Sequence, residues 1–213
     1  VLRELESAAP DRLFAVEEQR VSLDQLEDYV HRLSDEGIEL LTILDTVYPM
    51  NLRMVYDRPA ALFVRGALSQ DDERSVAVVG TRKATDRGLT QAREIAQTLV
   101  AADYVVVSGL AAGIDTASHM ATPEAAGRTV GVIGTGLRET FPKQNAALQA
   151  RIGSESAVVS QFWPGQGPRK WTFPARNAVM SGFARATVVV EASHTSGARM
   201  QARLANEHGR PVF

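Results

Sequence analysis

Five runs of β-branched and small apolar residues, separated by amphipathic segments, constrain this chain more than any other feature. They are Val76-Ala77-Val78-Val79, Tyr104-Val105-Val106-Val107, Thr129-Val130-Gly131-Val132-Ile133, Ala157-Val158-Val159 and Thr187-Val188-Val189-Val190, and Pro211-Val212-Phe213 starts a sixth. Runs that are apolar at every position suit strands buried on both faces. Between them lie segments with helical spacing, such as Leu89, Ala92, Ile95, Ala96 and Leu99. Strand–helix alternation of this kind predicts an α/β fold built on a doubly wound, mostly parallel sheet. The 213 residues suffice for one such domain and a small appendage.

Residues 1–36 form that appendage, an acidic helical segment with Leu23, Leu26, Val30 and Leu33 on one face. Residues 37–213 form the main domain, with its core at 73–213. The runs Glu39–Leu44 and Ala61–Val64, with Tyr48-Pro49 between them, read as edge strands and turns leading into it. Charge divides along the same line. Residues 1–73 carry 7 Arg/Lys against 16 Asp/Glu, a net of −9, and residues 74–213 carry 16 against 9, a net of +7. The larger part is basic and able to concentrate a polyanion, while the acidic part would repel one.

Cysteine is absent, which excludes disulfide frameworks, thiolate zinc sites and cysteine nucleophiles and fits a reducing, cytoplasmic setting. No apolar run approaches the roughly 20 residues that cross a bilayer, and the acidic start is unlike a signal peptide, so no membrane association is expected.

In a doubly wound sheet, ligands bind beyond the carboxyl ends of the strands. Those ends carry Gly80-Thr81-Arg82-Lys83, Ser108-Gly109-Leu110-Ala111-Ala112-Gly113, Gly134-Thr135-Gly136, a basic and aromatic loop around Arg169-Lys170-Trp171-Thr172-Phe173-Pro174, and Glu191-Ala192-Ser193 with Ser196-Gly197 beyond. Glycine admits close approach of backbone N–H groups, and helix N-termini add partial positive charge, so this edge suits phosphate. The dinucleotide fingerprint is not satisfied, because Glu139 stands where Gly134-x-Gly136 would need a third small residue. A Walker A sequence and metal-ligand spacings are also missing, so neither cofactor nor metal is expected. The chain has only three lysines, Lys83, Lys143 and Lys170, against 20 arginines, and all three fall in loops on this edge. With Arg82, Arg176, Trp171 and Phe173 they make a charged groove with stacking platforms, as single-stranded nucleic acid requires. Asp115 reads as the N-cap of the helix after Gly113 rather than a catalytic base.

Taken in order, Gly80-Thr81-Arg82, Val107–Asp115, Gly134-Thr135-Gly136-Leu137, Phe141-Pro142-Lys143-Gln144-Asn145 and Phe173-Pro174-Ala175-Arg176-Asn177 resemble the DNA-processing protein A (DprA, or Smf) family. The resemblance covers about residues 37–213, that family's Rossmann-like domain up to its last strand. The winged-helix domain that follows in the family has no counterpart in these residues. It implies a protein that binds single-stranded DNA as a homodimer, protects it and loads a RecA-type recombinase in DNA uptake, transformation or recombination. The family's DNA-contacting positions fall on Arg82, Lys143, Lys170, Phe173 and Arg176, with backbone amides of Ser108-Gly109 and Gly134-Thr135-Gly136 meeting phosphates. Gly80, Thr81, Lys83, Leu110, Gly113, Asn145, Asn177, Ser196 and Gly197 complete the expected site. Phe141 in place of tyrosine, Gln161 in place of glutamate, Ala178 in place of arginine, and Ser196-Gly197-Ala198-Arg199-Met200 depart from the family pattern and mark a divergent member.

Two rivals belong to other classes. A nucleoside-monophosphate phosphoribohydrolase would need a carboxylate after Ser196-Gly197, where Ala198, Arg199, Met200, Gln201 and Ala202 stand. A nucleotide sensor would prefer a mononucleotide over an oligonucleotide.

Overall fold

The computed structural model describes residues 23–193 and 196–213, so the first 22 residues of the predicted appendage lie outside the described residues. In chain order the elements are α1 (Leu23–Asp35), β1 (Ile38–Thr42), α2 (Met50–Arg53), β2 (Ala61–Gly66), β3 (Ser75–Gly80), α3 (Asp86–Ala101), β4 (Val105–Ser108), α4 (Ile114–Glu124), β5 (Thr129–Val132), α5 (Ala146–Glu155), β6 (Ala157–Ser160), α6 (Thr172–Phe183), β7 (Ala186–Glu191) and α7 (Gly197–Glu207). Short 3₁₀ turns at Gln70–Arg74 and Lys143–Asn145 precede β3 and α5.

The strands form one sheet in the order β1-β2-β6-β5-β4-β3-β7. From β6 to β7 all neighbours run parallel, while β2 joins β6 and β1 joins β2 antiparallel. The five apolar runs are the five parallel strands; β3 to β6 are buried on both faces, while β7 is only half-buried. Ala77 and Val79 of β3 pack with Leu52, Val179, Met180 and Ala198 from α2, α6 and α7. Val78, pointing the other way, packs with Ala92, Ala96, Ile114 and Ala117 from α3 and α4. Successive side chains on opposite faces of one strand therefore serve two helical layers. The fold is an α/β Rossmann-like one.

One expectation for the sheet needs correction. Ala61–Val64 is not an edge: β2 lies between β1 and β6, and its Leu62, Phe63 and Val64 are buried. Only β1 closes that side, and its Glu39 faces solvent. Pro211-Val212-Phe213 does start a sixth parallel strand as expected, with Val212 bridged to Thr187 of β7 and the Phe213 N–H donating to Thr187 O at 2.9 Å. In α1, Leu33 and Tyr29 pack against Phe63, Leu137, Ile152 and Val158, whereas Leu26, expected on the same face, stays 40% exposed.

The chain passes from β3 through β4 and β5 to β6 on one side, then returns to place β7 on the other side of β3. This reversal leaves a crevice beyond the carboxyl ends of β3 and β7, where loops from both halves converge. Away from it, His208 ties three segments together. Its Nδ1 lies 3.0 Å from Ser181 Oγ of α6 and its Nε2 lies 2.8 Å from Asp57 Oδ1 in the β1–β2 connection.

Candidate functional site

Loop 109–113, after β4, is built from within. The N–H of Gly109 donates to Asp115 Oδ2 (3.1 Å), and its carbonyl accepts from Arg176 Nη1 (2.5 Å). The same nitrogen reaches Val132 O (2.9 Å), and Arg176 Nε donates to Asn177 Oδ1 (2.9 Å). A Cβ at position 109 would stand 1.8 Å from Arg176 Nη1, so only glycine lets the guanidinium in. Asn145 closes the frame, its amide donating to Leu110 O (2.8 Å) and Thr116 Oγ1 (2.9 Å). Leu110 adopts φ +54 and is fully buried.

Both charges of this frame are buried, Asp115 at 4% and Arg176 at 6% exposure. Burial pushes the Asp115 carboxyl up and the Arg176 guanidinium down, and the attraction between the two opposes each shift. The N-cap of α4 is Gly113, so Asp115 does not cap the helix as expected; it holds the loop ahead of it. Arg176, expected to meet phosphate, has three internal acceptors and braces the groove floor from below. The amides of Gly109 and Gly136, expected to meet phosphate, likewise have partners inside the protein. The first amide is held by Asp115, and the second donates to Gln166 O at 2.7 Å. Ser108, Thr135 and Asn177 are buried parts of the same frame, with Ser108 Oγ donating to Val78 O (2.6 Å). Beneath it, Thr129 Oγ1 donates to Val106 O (2.8 Å) and therefore accepts from His119 Nδ1 (2.7 Å). Burial lowers the pKa of this imidazole to about 4, so the ring is neutral.

The groove itself is lined by the less buried part of the predicted set. Phe173, in the first turn of α6, is half-buried and stands over Gly134, where a Cβ would come within 2.9 Å of its ring. The Arg82 guanidinium lies 5.3 Å from the Phe173 ring centroid, and Phe141 packs beside it at 5.5 Å. Lys83, Lys143 and Lys170 are exposed on the same edge, and among the described residues no ion pair holds any of them. A crevice of about 650 Å³ at the strand-order reversal is bounded by Gly80, Thr81, Arg82, Lys83, Phe173 and Ser196-Gly197, among others. A smaller one of about 120 Å³ opens on the other side of Phe173, between Phe141 and Gly109. Ser196 is the N-cap of α7, accepting from Ala198 N at 3.2 Å.

Sequence reasoning did not place Phe141 or Glu191 in the site. Phe141 precedes Pro142, with a cis peptide between them, directly ahead of Lys143. Its aromatic type beside that lysine was the available signal. Glu191, at the end of β7, accepts from Thr85 N (3.1 Å) and Thr85 Oγ1 (3.0 Å), while Thr85 Oγ1 accepts from Gly88 N (3.0 Å) and caps α3. A Cβ at Gly88 would stand 2.0 Å from the Glu191 carboxylate. Among the described residues, no cluster of His, Asp or Glu is placed to hold a metal.

With the geometry in view, comparison with known proteins decides the family. The profile of the family described as DNA recombination-mediator protein A matches residues 39–213. The chain belongs to this family. It is 44% identical over 172 residues to DNA processing protein DprA of Streptococcus pneumoniae, covering 81% of this chain and 61% of that protein. To Protein Smf of Synechocystis it is 38% identical over 199 residues, covering 92% of this chain and 50% of that protein. The chain thus spans between half and two thirds of the length of these curated relatives. The crystal structure of the pneumococcal DprA superposes with a TM-score of 0.79 at 41% identity, over 89% of this chain and 69% of that one. DNA processing protein A of Helicobacter pylori, a structure described for its single-stranded DNA binding mode, superposes with a TM-score of 0.74 at 25% identity, over 83% of this chain and 79% of that one. The recombination-mediator family accounts for both the fold and the order of the carboxyl-edge loops. Among the described residues no helix is long and apolar enough to cross a membrane.

Proposed function

We propose that the chain binds single-stranded DNA along the carboxyl edge of its sheet, as a recombination mediator acting in the cytoplasm without catalysis. A RecA-type recombinase and a second copy of the chain are its partners, in DNA uptake or recombination. One observation carries the reading. Phe173 presents a half-exposed ring with the Arg82 guanidinium over it, and the three lysines, none ion-paired among the described residues, stand on the same edge. An aromatic surface with jointed cations around it attracts backbone phosphates by charge and accepts any base by its π-face, so it tolerates sequence. Arg82 holds the ring in the free protein and becomes available to phosphate or base when a strand arrives. The carboxylates nearest the groove serve the fold, Asp115 on loop 109–111 and Glu191 on Thr85. That supports a binding role over hydrolysis.

The test is a labelled single-stranded oligonucleotide titrated against the protein and competed separately with duplex and with a nucleoside monophosphate. Unlabelled single strand should displace the probe far better than either. Displacement by the mononucleotide at equal concentration would instead make the 650 Å³ crevice a sensor pocket.

A further inference from the structure

The chain has only two tryptophans, Trp163 and Trp171, and both stand 59% exposed on the rim of one groove. That groove, of about 420 Å³, lies between Gln161, Phe162, Trp163, Gln166, Trp171 and Ala175, beyond the carboxyl end of β6. Each indole is fixed by an aromatic partner and keeps much of its surface free. Trp171 meets Phe162 edge-on at 5.4 Å, and Trp163 rests on Phe63 at 5.3 Å and Tyr29 at 5.6 Å. An exposed indole costs hydration that a folded surface normally avoids, and two rigid ones lining a groove mark a contact surface.

This groove continues the one at Phe173. Phe173 and Trp171 are two residues apart at the start of α6, and Arg169 and Lys170, both exposed, lie between Trp171 and the loop that carries Trp163. Loop 134–136 joins the two sites from below. A Cβ at Gly134 would touch the Phe173 ring, and a Cβ at Gly136 would stand 2.0 Å from Trp163 O. Three residues span at most about 11 Å, so the two platforms are within a few nucleotides of one another.

We infer that Trp171 and Trp163 form a second stacking subsite, which takes the bases next along the strand after those held at Phe173. The occupant is single-stranded nucleic acid, because the groove offers flat aromatic faces with cations on one bank. The inference rests on the single-strand reading above. It adds a direction of travel, from the β3–β7 crevice along the sheet edge toward β6 and α1.

Intrinsic fluorescence tests it directly, since no other indole contributes. In Trp163→Phe and Trp171→Phe, each with a single reporter, titration with oligothymidylate of about 16 nucleotides should quench the remaining indole, whereas one of about 4 should leave Trp163 unchanged. Trp163→Ala and Trp171→Ala should weaken binding of the longer oligonucleotide about 5- to 150-fold and that of the shorter one little. Quenching uses Phe variants that keep a ring against Phe63, so it does not depend on the alanine variants folding. If neither indole is quenched by the longer strand while Phe173→Ala still weakens its binding, the second subsite is wrong and the first stands. If Phe173→Ala and Arg82→Ala also leave binding unchanged, the reading of the whole edge fails, and this inference with it.

Discussion

Replacing Arg176 by alanine separates a residue that contacts DNA from one that holds the site together. The guanidinium donates to Gly109 O, Val132 O and Asn177 Oδ1, and its charge offsets that of the buried Asp115 more than Arg82 does. Removing the charge that offsets a buried carboxylate, and unpairing the buried acceptors it serves, costs about 3–5 kcal/mol, because Asp115 is left charged in a low-dielectric setting. A domain of this kind has about 5–15 kcal/mol in total, so the variant folds but is crippled. With a urea m-value of about 2–3 kcal/mol/M, the midpoint should fall by about 1–2.5 M. The pH dependence has a definite sign. Without Arg176 the folded-state pKa of Asp115, already raised by burial, rises further above the unfolded value of 3.8. The folded variant then binds the proton more tightly than the unfolded chain, so its deficit shrinks as pH falls through the raised folded pKa. Adding Asp115→Asn should recover about 0.5–3 kcal/mol as coupling between the two sites. Urea melts of the single and double variants at neutral and mildly acid pH measure all of this. A midpoint for Arg176→Ala within a few tenths molar of the parent, with single-strand affinity lost, would show that Arg176 acts on DNA and that the internal role is wrong.

Phe173→Ala should cost about 1–3 kcal/mol of single-strand affinity with little change in melting temperature, since the ring is only half-buried; a large fall in melting temperature with intact affinity per folded molecule would refute stacking. Arg82→Ala and Lys170→Ala should each flatten the plot of log K against log salt by about 0.7, checked by titration across a salt series. His119 sets an acid limb. Its folded pKa of about 4 lies below the ordinary 6.5, so stability present above pH 6.5 is lost as pH falls toward 4, by about 3 kcal/mol, and His119→Gln should flatten that slope in pH-dependent melts.

The parallel core was legible because a strand buried on both faces must be apolar at every position, and Val76–Val79 or Val105–Val107 cannot be written otherwise. The lysines were legible for a topological reason: once the runs are strands, whatever follows each one lands on the same edge. The place of β2 was not, because antiparallel pairing of Phe63 with Ser160 joins segments far apart in sequence and leaves no local signature. Nor was the burial of Arg176. Its neighbours Asn177 and Phe173 look the same in sequence whether the guanidinium points outward or down to Gly109. The amides of Gly109 and Gly136 illustrate the same limit, since glycine there serves a close approach of Arg176 in one case and of the Trp163–Pro164 backbone in the other.

The carboxylate of Glu191 lies at the opening turn of α3, the helix that follows β3, where dinucleotide-binding folds seat a pyrophosphate. The fold therefore carries a resident anion at its best phosphate cradle, and Gly88 is kept bare to admit it. A nucleotide cofactor would have to evict a tethered competitor that never leaves. On the proposed reading, a polyanion at this edge meets instead the exposed side chains of Arg82 and Lys83. A cradle of fixed amides grips one group in one pose; a fringe of long cations permits a bound strand to shift along it, so on that reading register-shifting comes with the surface itself.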